Sequence, residues 1–366
     1  MKKRKITGKK KRRTGIPLFR RALYSSAVVF IFFALAESVL RLAEFRYSTT
    51  PLSMQYVNWI KDLGNRCDVP GRGRVMCAFH KDPLLFWFPD GNTYLTNSQG
   101  FRGPDIKKEK EPGVTRIACV GDSVTQNGFP SFPRMLESLL NEAGEGKKFE
   151  VINAGIGSYS SHQGLALFRT KISEFNPDII TVFFGWNDHW LAWSHTDREL
   201  AGFWKLTGLR NFFGKSRIYQ VLTKILIRTK KKDGAPARFR VSPEEYGDNL
   251  TEICALAKKN NIRVVLITAP TSLTPSSKNT QYLVNRSQLF PRADLINIVH
   301  AAYNALVREV ALKERVHLFD LEKMMERQKN RDEFFTDGIH FTQKGVELTS
   351  RALAEKFKTE ILQFKN

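Results

Sequence analysis

Cysteine and histidine are scarce in this chain, which has four of the first and seven of the second among 366 residues. So few cysteines exclude a small scaffold held together by disulfides, and a chain of this length can bury a substantial apolar core. The histidines include no pair with the spacing of a metal-binding motif. We therefore expect no metal site, since His162, His189, His195 and His300 do not have the spacing of metal ligands.

Acidic residues are absent from the first 21 positions, which carry eleven Lys or Arg residues. The net charge of the whole chain is +22, so half of the excess lies in this segment. A basic excess is compatible with nucleic-acid binding, but this one directly precedes an apolar stretch at 22–36. Positive charge in that place indicates a cytoplasmic N-terminus, so we expect export of the later residues and no nucleic-acid partner.

A long uncharged apolar run is missing as well. The run at 22–36 has 15 residues, short of the roughly 20 that a spanning helix needs. Extending the anchor to 22–45 reaches that length, and its three further charged residues would lie at the outer interface: Glu37, Arg41 and Glu44. A cleaved signal peptide is the alternative, because Ala-Leu-Ala at 34–36 matches a small-x-small cleavage site. A buried core helix is the third interpretation.

Two short motifs, far apart in the sequence, carry candidate catalytic groups. An apolar, β-rich run at 115–120 ends abruptly at Gly-Asp-Ser, which predicts a buried strand followed by a tight turn at Ser123. Near the C-terminus, Asp337 and His340 form Asp-x-x-His. A serine hydroxyl becomes a nucleophile when a histidine takes its proton and a carboxylate orients that histidine. Without that role, the three residues would belong to an ordinary turn and a helix cap.

Four sequence blocks in order strengthen this hypothesis. They are Gly-Asp-Ser at 121–123, Asn-Ala-Gly-Ile-Gly-Ser-Tyr at 153–159, Gly-Trp-Asn-Asp at 185–188 and Asp-Gly-Ile-His at 337–340. Each block alone is a weak signal, but the four together resemble those of the SGNH (GDSL-type) hydrolases. The resemblance implies a serine hydrolase that acts on ester bonds without a cofactor.

The resemblance also implies an oxyanion hole. Its donors would be the side-chain amide of Asn187 and the backbone N–H groups of Ser123 and of either Ser158 or Gly157. The family's glycine in the second block corresponds to Ser158 here. A backbone donor does not depend on a glycine side chain, so the role is compatible with serine.

Apolar β-rich runs alternate with helical patterns from residue 115 onward, which predicts a parallel sheet covered on both faces. The expected fold is α/β: a three-layer, doubly wound, five-stranded parallel sheet of the flavodoxin-like SGNH type, preceded by a transmembrane helix. Sites in such sheets form at the carboxyl ends of the strands. We expect strands near 115–120, 148–152, 178–184, 263–269 and 316–319. The expected helices lie near 131–143, 161–174, 244–260, 293–313 and 343–360.

The predicted organisation has four parts, with an insert in the last. They are a basic cytoplasmic N-terminus at 1–21, an anchor or signal segment at 22–45, an irregular connecting segment at 46–95, and a hydrolase domain at 96–366 with an insert at 189–242. The Trp-rich start of the insert is a candidate lid. Its later part predicts an amphipathic helix with a basic flank, which either packs on the domain or lies on an anionic membrane surface.

The four cysteines fall into two pairs. Cys119 in the first strand and Cys254 on a helix are expected to be buried apolar residues. Cys67 and Cys77 follow the anchor, where they either form a disulfide in an oxidising compartment or remain free thiols.

These observations predict an exported, membrane-anchored serine esterase that hydrolyses a small acyl ester. The candidate substrates are O-acetyl groups on an envelope glycan and lipid esters, and the membrane and the substrate are the expected partners. An O-acyltransferase with the same three residues is one alternative. A catalytically silent binding or envelope-assembly protein is the other. No oligomeric state is predicted.

Overall fold

The computed structural model of the chain describes residues 17–47, 66–69, 73–76, 79–143, 146–192, 195–205, 213–230, 238–287 and 289–361. Cys77 lies outside this set, so the disulfide expected between it and Cys67 stays a prediction. Cys119 and Cys254 are free and buried, as predicted.

The secondary structure alternates between strands and helices over most of the chain. The described strands are β1 Arg66–Val69, β2 Gly73–Met76, β3 Phe79–Asp82, β4 Phe86–Pro89, β5 Val114–Gly121, β6 Lys148–Gly155, β7 Ile179–Phe183, β8 Arg263–Ile267 and β9 His317–Phe319. The described helices are α1 Leu18–Leu42, α2 Ser123–Gln126, α3 Phe132–Ala143, α4 Ser161–Thr170, α5 Asp197–Lys205, α6 Arg217–Lys230, α7 Pro243–Lys259, α8 Lys278–Gln281, α9 Ile296–Glu314, α10 Leu321–Glu326 and α11 Gln343–Lys356.

The chain divides into two compact units. The larger unit contains Thr50–Leu206 and Pro236–Asn366, and the smaller unit contains Met1–Thr49 and Thr207–Ala235. The insert predicted at 189–242 is therefore shared between them, and its helix α6 belongs to the smaller unit with α1.

A five-stranded parallel sheet forms the centre of the larger unit. Its strand order is β6-β5-β7-β8-β9, and neighbouring strands are parallel throughout. This is the predicted doubly wound order, in which the chain reverses direction across the sheet beside its first strand. Gly121 at the end of β5 pairs with Gly155 of β6 and with Phe183 of β7. The carboxyl ends of the three strands therefore lie side by side.

Alternate strand residues pack on opposite faces of the sheet. Ala118 and Val120 contact the layer formed by α4, α7 and α9, whereas Ile117 and Cys119 contact the layer formed by α3 and α11. Residues that alternate across a pleated strand point to opposite faces. Both faces are apolar because helices cover both, which confirms the three-layer α/β prediction.

Close backbone packing requires glycine at the ends of β5 and β6. A Cβ atom at Gly121 would lie 2.1 Å from Thr125 Oγ1 and 2.8 Å from the Phe183 carbonyl oxygen. A Cβ atom at Gly155 would lie 2.4 Å from the backbone nitrogen of Gln126. Glycine at both positions therefore lets α2 sit directly against the strand ends.

The segment predicted to be irregular at 46–95 contains two antiparallel hairpins, β1–β2 and β3–β4. That prediction was wrong for the hairpin residues. In β4 the side chains of Phe86, Trp87 and Phe88 are all buried in the core of the larger unit. A continuous apolar run lacks the alternation that marks a half-exposed strand, so periodicity did not reveal it.

The Trp-rich start of the insert is core rather than a lid in its described part. His189 and Trp190 are buried, and Trp190 packs against Phe290 and Trp186. The prediction of a lid was wrong for these two residues because their rings are buried against other aromatic rings. Trp193 lies outside the described residues.

Candidate active site

The turn after β5 places Ser123 at the start of α2. The buried side chain of Asp122 caps this helix by accepting the N–H of Val124 at 2.8 Å. Ser123 is the first helical residue, and leading N–H groups of a helix have no carbonyl partner within it. Its Oγ lies 2.8 Å from Nε2 of His340, which is 217 residues later in the chain.

A tight loop presents His340 to the serine. Isolated pairing of Phe335 with Phe341 closes the loop. Within it, Asp337 Oδ1 accepts the N–H groups of Ile339 at 2.9 Å and of His340 at 2.8 Å. Asp337 Oδ2 lies 2.7 Å from His340 Nδ1. One carboxylate therefore shapes the loop with one oxygen and orients the imidazole with the other.

The electrostatics of this pair favour a protonated imidazole. Burial alone would lower the pKa of His340, but the hydrogen bond and charge of Asp337, with the charge of Asp122, raise that pKa above its ordinary value. Burial opposes ionisation of Asp337, yet its bonds to the imidazole and to two N–H groups hold the pKa of this carboxyl below its usual range. A histidine stabilised in this way can accept and hold a proton from a serine.

The third block places Asn187 beside the same turn. Asn187 is buried, and its Nδ2 donates to Asp122 Oδ2 at 3.0 Å. An amide nitrogen carries two N–H groups, so this bond uses one of them. Burial raises the pKa of Asp122 to about 6, against the opposing contributions of the Val124 N–H, the charge of His340 and the Asn187 amide. Asp122 thus joins the serine turn to the asparagine turn.

The second block contains the two backbone N–H groups that are alternative candidates for the oxyanion hole, those of Gly157 and Ser158. The N–H of Gly157 donates to Oε1 of Gln126 at 3.0 Å, so a side chain of the protein engages it. Ser158 has a φ of 64°, the left-handed conformation that glycine adopts most readily. Serine therefore keeps the backbone shape expected of the family's glycine at this position.

Arg240, which lies outside the four sequence blocks, holds the second block in place by hydrogen bonds. Its Nη1 donates to the carbonyl oxygen of Ser158 at 2.8 Å, while Nε and Nη2 bind the carboxylate of Asp197 at 3.2 and 2.9 Å. Sequence reasoning missed this residue because it lies in the insert, 82 positions from its partner, and no local pattern marks it. Gln126 was also missed, although it lies only three residues after the serine.

A buried aromatic and histidine cluster lies behind the third block. His189 Nε2 lies 3.0 Å from His300 Nδ1, and Trp186 stacks on His300 with ring centroids 4.0 Å apart. Burial lowers the pKa of His300 to about 4, and burial with the charge of His300 lowers that of His189 well below its usual value. Among the described residues, no three His, Cys, Asp or Glu side chains are grouped to hold a metal ion.

The carboxyl ends of three strands and one later loop thus bring together most of the predicted site. Ser123, His340 and Asp337 form one hydrogen-bonded chain, and Asn187 joins it through Asp122. This arrangement on a doubly wound α/β fold is typical of a serine hydrolase.

Comparison with known proteins gives the family. The profile of the GDSL-like Lipase/Acylhydrolase family matches residues 119–348. A human protein described as isoamyl acetate-hydrolyzing esterase 1 homolog is 24% identical over 242 residues, which are 63% of this chain and 77% of that protein. The chain belongs to the GDSL-like lipase/acylhydrolase family and is an ester-hydrolysing enzyme.

Two solved structures are among those that the chain resembles over most of their length. A lipase/acylhydrolase from Enterococcus faecalis has a TM-score of 0.44 and 19% identity, and the match covers 67% of this chain and 95% of that one. An acetyl xylan esterase from Geobacillus stearothermophilus has a TM-score of 0.42 and 14% identity, with coverage of 68% and 96%.

Proposed function

We propose that this enzyme is an exported, membrane-anchored serine esterase that hydrolyses small acyl esters through an acyl-enzyme on Ser123. One observation carries the proposal. Ser123 Oγ lies 2.8 Å from His340 Nε2, and the other ring nitrogen of that histidine lies 2.7 Å from Asp337. This is the geometry in which a histidine removes the proton of an attacking serine.

The reaction proceeds in two halves. Ser123 Oγ attacks the ester carbonyl while His340 Nε2 takes its proton, and Asp337 stabilises the imidazolium through Nδ1. The imidazolium then gives the proton to the leaving alcohol, and an acyl-serine remains. His340 next removes a proton from water, which attacks the acyl-serine. The imidazolium returns this proton to Ser123 Oγ as the bond between Oγ and the acyl carbon breaks, and the acid leaves.

The developing oxyanion is stabilised by three donors: the second N–H of the Asn187 amide and the backbone N–H groups of Ser123 and Ser158. Asp122 holds the first in place through its 3.0 Å bond to Nδ2. Arg240 holds the Ser158 peptide through its carbonyl at 2.8 Å. Donors fixed before the reaction avoid the cost of reorganisation during it.

An acetyl ester is the substrate class that we favour. The human relative is described as a homologue of an isoamyl acetate-hydrolyzing esterase, and isoamyl acetate is an ester with a two-carbon acyl group. An exported enzyme would meet acetylated envelope glycans and lipid esters, and these are the two candidate substrates. The proposed reaction needs no cofactor.

The proposed orientation has the N-terminus in the cytoplasm and the larger unit outside. Eleven basic residues precede the apolar part of α1. Among the described residues, the helix Phe19–Leu42 is long and apolar enough to span a membrane. Helix α1 runs unbroken through 34–36, and Glu37 just beyond that tripeptide binds Ser216 and the start of α6. These contacts support an anchor that is retained rather than cleaved.

Labelling with a fluorophosphonate tests the nucleophile. The wild-type protein should be labelled, Ser123→Ala should not, and Ser138→Ala, on the surface of α3, should behave as wild type. Turnover of p-nitrophenyl acetate should disappear in Ser123→Ala with an unchanged melting temperature. Near-wild-type turnover by Ser123→Ala would refute the assignment.

A series of p-nitrophenyl esters tests the acyl group. We expect kcat/KM to be highest for the acetate and to fall as the acyl chain lengthens. A rise with chain length would identify a lipase instead. Addition of a sugar acceptor separates the transferase alternative, since acyl transfer would yield acetylated sugar in place of free acetate.

Protease treatment of spheroplasts tests the orientation. The larger unit should be degraded in intact spheroplasts, and complete protection until lysis would reverse the proposed topology. N-terminal sequencing of the mature protein tests retention, because a start at Glu37 would show cleavage.

A further inference from the structure

Helix α1 contains a carboxylate, Glu37, that forms an ion pair with Arg41 of the same helix at 2.7 Å and also binds the start of the neighbouring helix α6. Glu37 Oε2 accepts the hydroxyl of Ser216 at 2.9 Å and the N–H of Ile218 at 3.1 Å, while Oε1 accepts the N–H of Arg217 at 3.0 Å. Leading N–H groups of a helix carry partial positive charge. Glu37 is therefore the N-terminal cap of α6, supplied from a distant part of the chain.

The contact with Glu37 fixes the position along α1 at which α6 begins. Glu37 precedes the last residue of α1, Leu42, by five positions, which is about 8 Å along a helix. A charged carboxylate is costly in hydrocarbon and is tolerated near the end of a span. If α1 spans the membrane, α6 starts where that span meets the headgroups.

Further contacts tie α6 to the residues that follow α1. The N–H of Tyr47 donates to Oε1 of Gln220 at 3.0 Å. The ammonium of Lys224 lies 5.2 Å from the centre of the Phe45 ring, within the range of a cation–π contact. The first two turns of α6 therefore run beside the end of the proposed anchor.

The outer side of α6 combines apolar exposure with one sign of charge. Leu222 and Ile225, one turn apart on the same face, are each 52% exposed, and Phe213 just before the helix is 45% exposed. Residues 205–232 hold nine Lys or Arg and no acidic residue. Such a helix matches the boundary between acyl chains and anionic headgroups.

We infer that α6 lies on the membrane beside α1 and binds an anionic phospholipid surface, with Leu222 and Ile225 at the acyl boundary. The inference rests on the proposed anchoring by α1. Continuity with that anchor and the exclusively basic charge of 205–232 identify the occupant of this face. Each basic residue near such a surface contributes about fivefold in affinity.

The test places a fluorophore on α6 of the full chain in vesicles. Leu222→Cys carries the environment-sensitive dye NBD, and the unsubstituted protein gives the labelling background. The vesicles are phosphatidylcholine with or without phosphatidylglycerol, and contain a lipid spin-labelled near the headgroup. We expect a blue shift and strong quenching that need phosphatidylglycerol and weaken in high salt. Replacing Lys230, Lys231 and Lys232 with Gln should weaken binding to these anionic vesicles by about 100-fold, at about fivefold for each residue.

Two control positions for the fluorophore distinguish failure of the membrane-surface inference from failure of the proposed anchoring. Leu312→Cys, on a leucine that is 82% exposed on α9, should not be quenched, and equal quenching there would overturn the inference as non-specific adsorption. Val28→Cys in the middle of α1 should be quenched by a deeply placed spin label. If Val28 is quenched and Leu222 is not, the membrane-surface inference fails while the anchor stands.

The remaining outcomes also decide the matter. If neither Val28 nor Leu222 is quenched, the proposed anchoring itself fails. A blue shift at Leu222 without quenching would show that protein covers this face, for example a second copy, and would overturn the inference. Quenching that does not depend on phosphatidylglycerol or on salt would refute the inference that α6 binds an anionic surface.

Discussion

The two units of the molecule use one chemical device in different ways. In the larger unit, Asp337 accepts backbone N–H groups from residues two and three positions later. In the smaller unit, Glu37 accepts N–H groups from residues 180 and 181 positions later. The first carboxylate shapes a loop and orients a base, whereas the second joins two distant segments. Loss of the Asp337 carboxylate should therefore impair catalysis. Loss of the Glu37 carboxylate should weaken the attachment of α6 to α1.

The largest effect is expected from Asp337→Asn. Its carbonyl oxygen would remain with the two backbone N–H groups, and its NH₂ would then face Nδ1 of His340. That arrangement forces the proton onto Nε2, where it blocks transfer from Ser123. We expect kcat/KM to fall by about 10³–10⁴-fold with little change in melting temperature. A loss below tenfold in steady-state kinetics would contradict this role.

The pH profile sharpens the same prediction. The proposed mechanism uses the base form of His340, and Asp337 raises the pKa of this imidazole above its ordinary value. Wild-type kcat/KM should therefore rise with pH through an apparent pKa above that of an ordinary histidine. In Asp337→Asn the remaining activity should rise at lower pH, because burial then acts on the imidazole without the opposing carboxylate. An unchanged midpoint in the two profiles would show that Asp337 does not set this pKa.

The next effect in size is expected from Asn187→Ala. An amide that meets only the developing oxyanion lowers the barrier without holding the ester, so kcat should fall by about 10²–10³-fold with KM little changed. Melting should also fall, since Asp122 loses a buried donor. Kinetics are therefore measured well below the melting range of each variant.

Asn187→Asp serves as the comparison for this position. It should be at least as damaging, because it supplies no donor and brings a second carboxylate beside Asp122. A normal kcat with a raised KM in Asn187→Ala would remove the asparagine from the oxyanion hole.

Glu37→Gln should have a smaller effect, confined to the smaller unit. The amide keeps one acceptor but turns an NH₂ toward the donors at the start of α6, and loss of a helix cap costs about 1 kcal/mol. We expect about fivefold faster amide exchange in α6 and unchanged turnover of p-nitrophenyl acetate. Glu44→Gln is the control and should exchange as wild type. Equal protection in both variants would show that the cap contributes nothing.

The smallest effect is expected from Ser158→Gly. Glycine adopts the observed positive φ without strain, but it also increases the entropy of the unfolded chain, and these contributions offset each other. Activity should stay within about threefold of wild type, because only the backbone N–H is used. Ser158→Ala removes the hydroxyl and keeps Cβ, so a collapse of activity in both variants would assign a role to the hydroxyl instead.

Local patterns explain what could be predicted. Most strands of the central sheet carry an apolar run that ends at a glycine or a polar residue. Gly-Asp-Ser and Asp-x-x-His are also local, because each lies within a few consecutive residues. The β3–β4 hairpin was missed because a short apolar run is ambiguous by itself, and this one lies before the alternation of strands and helices that supports the other strands. The cap from Glu37 to α6 and the brace from Arg240 to Ser158 join residues far apart in the chain. Neither residue of such a pair has a local sequence pattern that identifies its partner.

The close packing at Gly121 and Gly155 also has an evolutionary consequence. If Ser123 is the nucleophile, as proposed, a single substitution there would end catalysis and leave the backbone contacts of the turn in place. No side chain fits at either glycine without moving α2 away from the strand ends. A descendant of this enzyme that abandoned hydrolysis would therefore be expected to keep both glycines and lose the serine. In such a lineage the two glycines would indicate descent from this fold, and the presence or absence of the serine would indicate whether hydrolysis is retained.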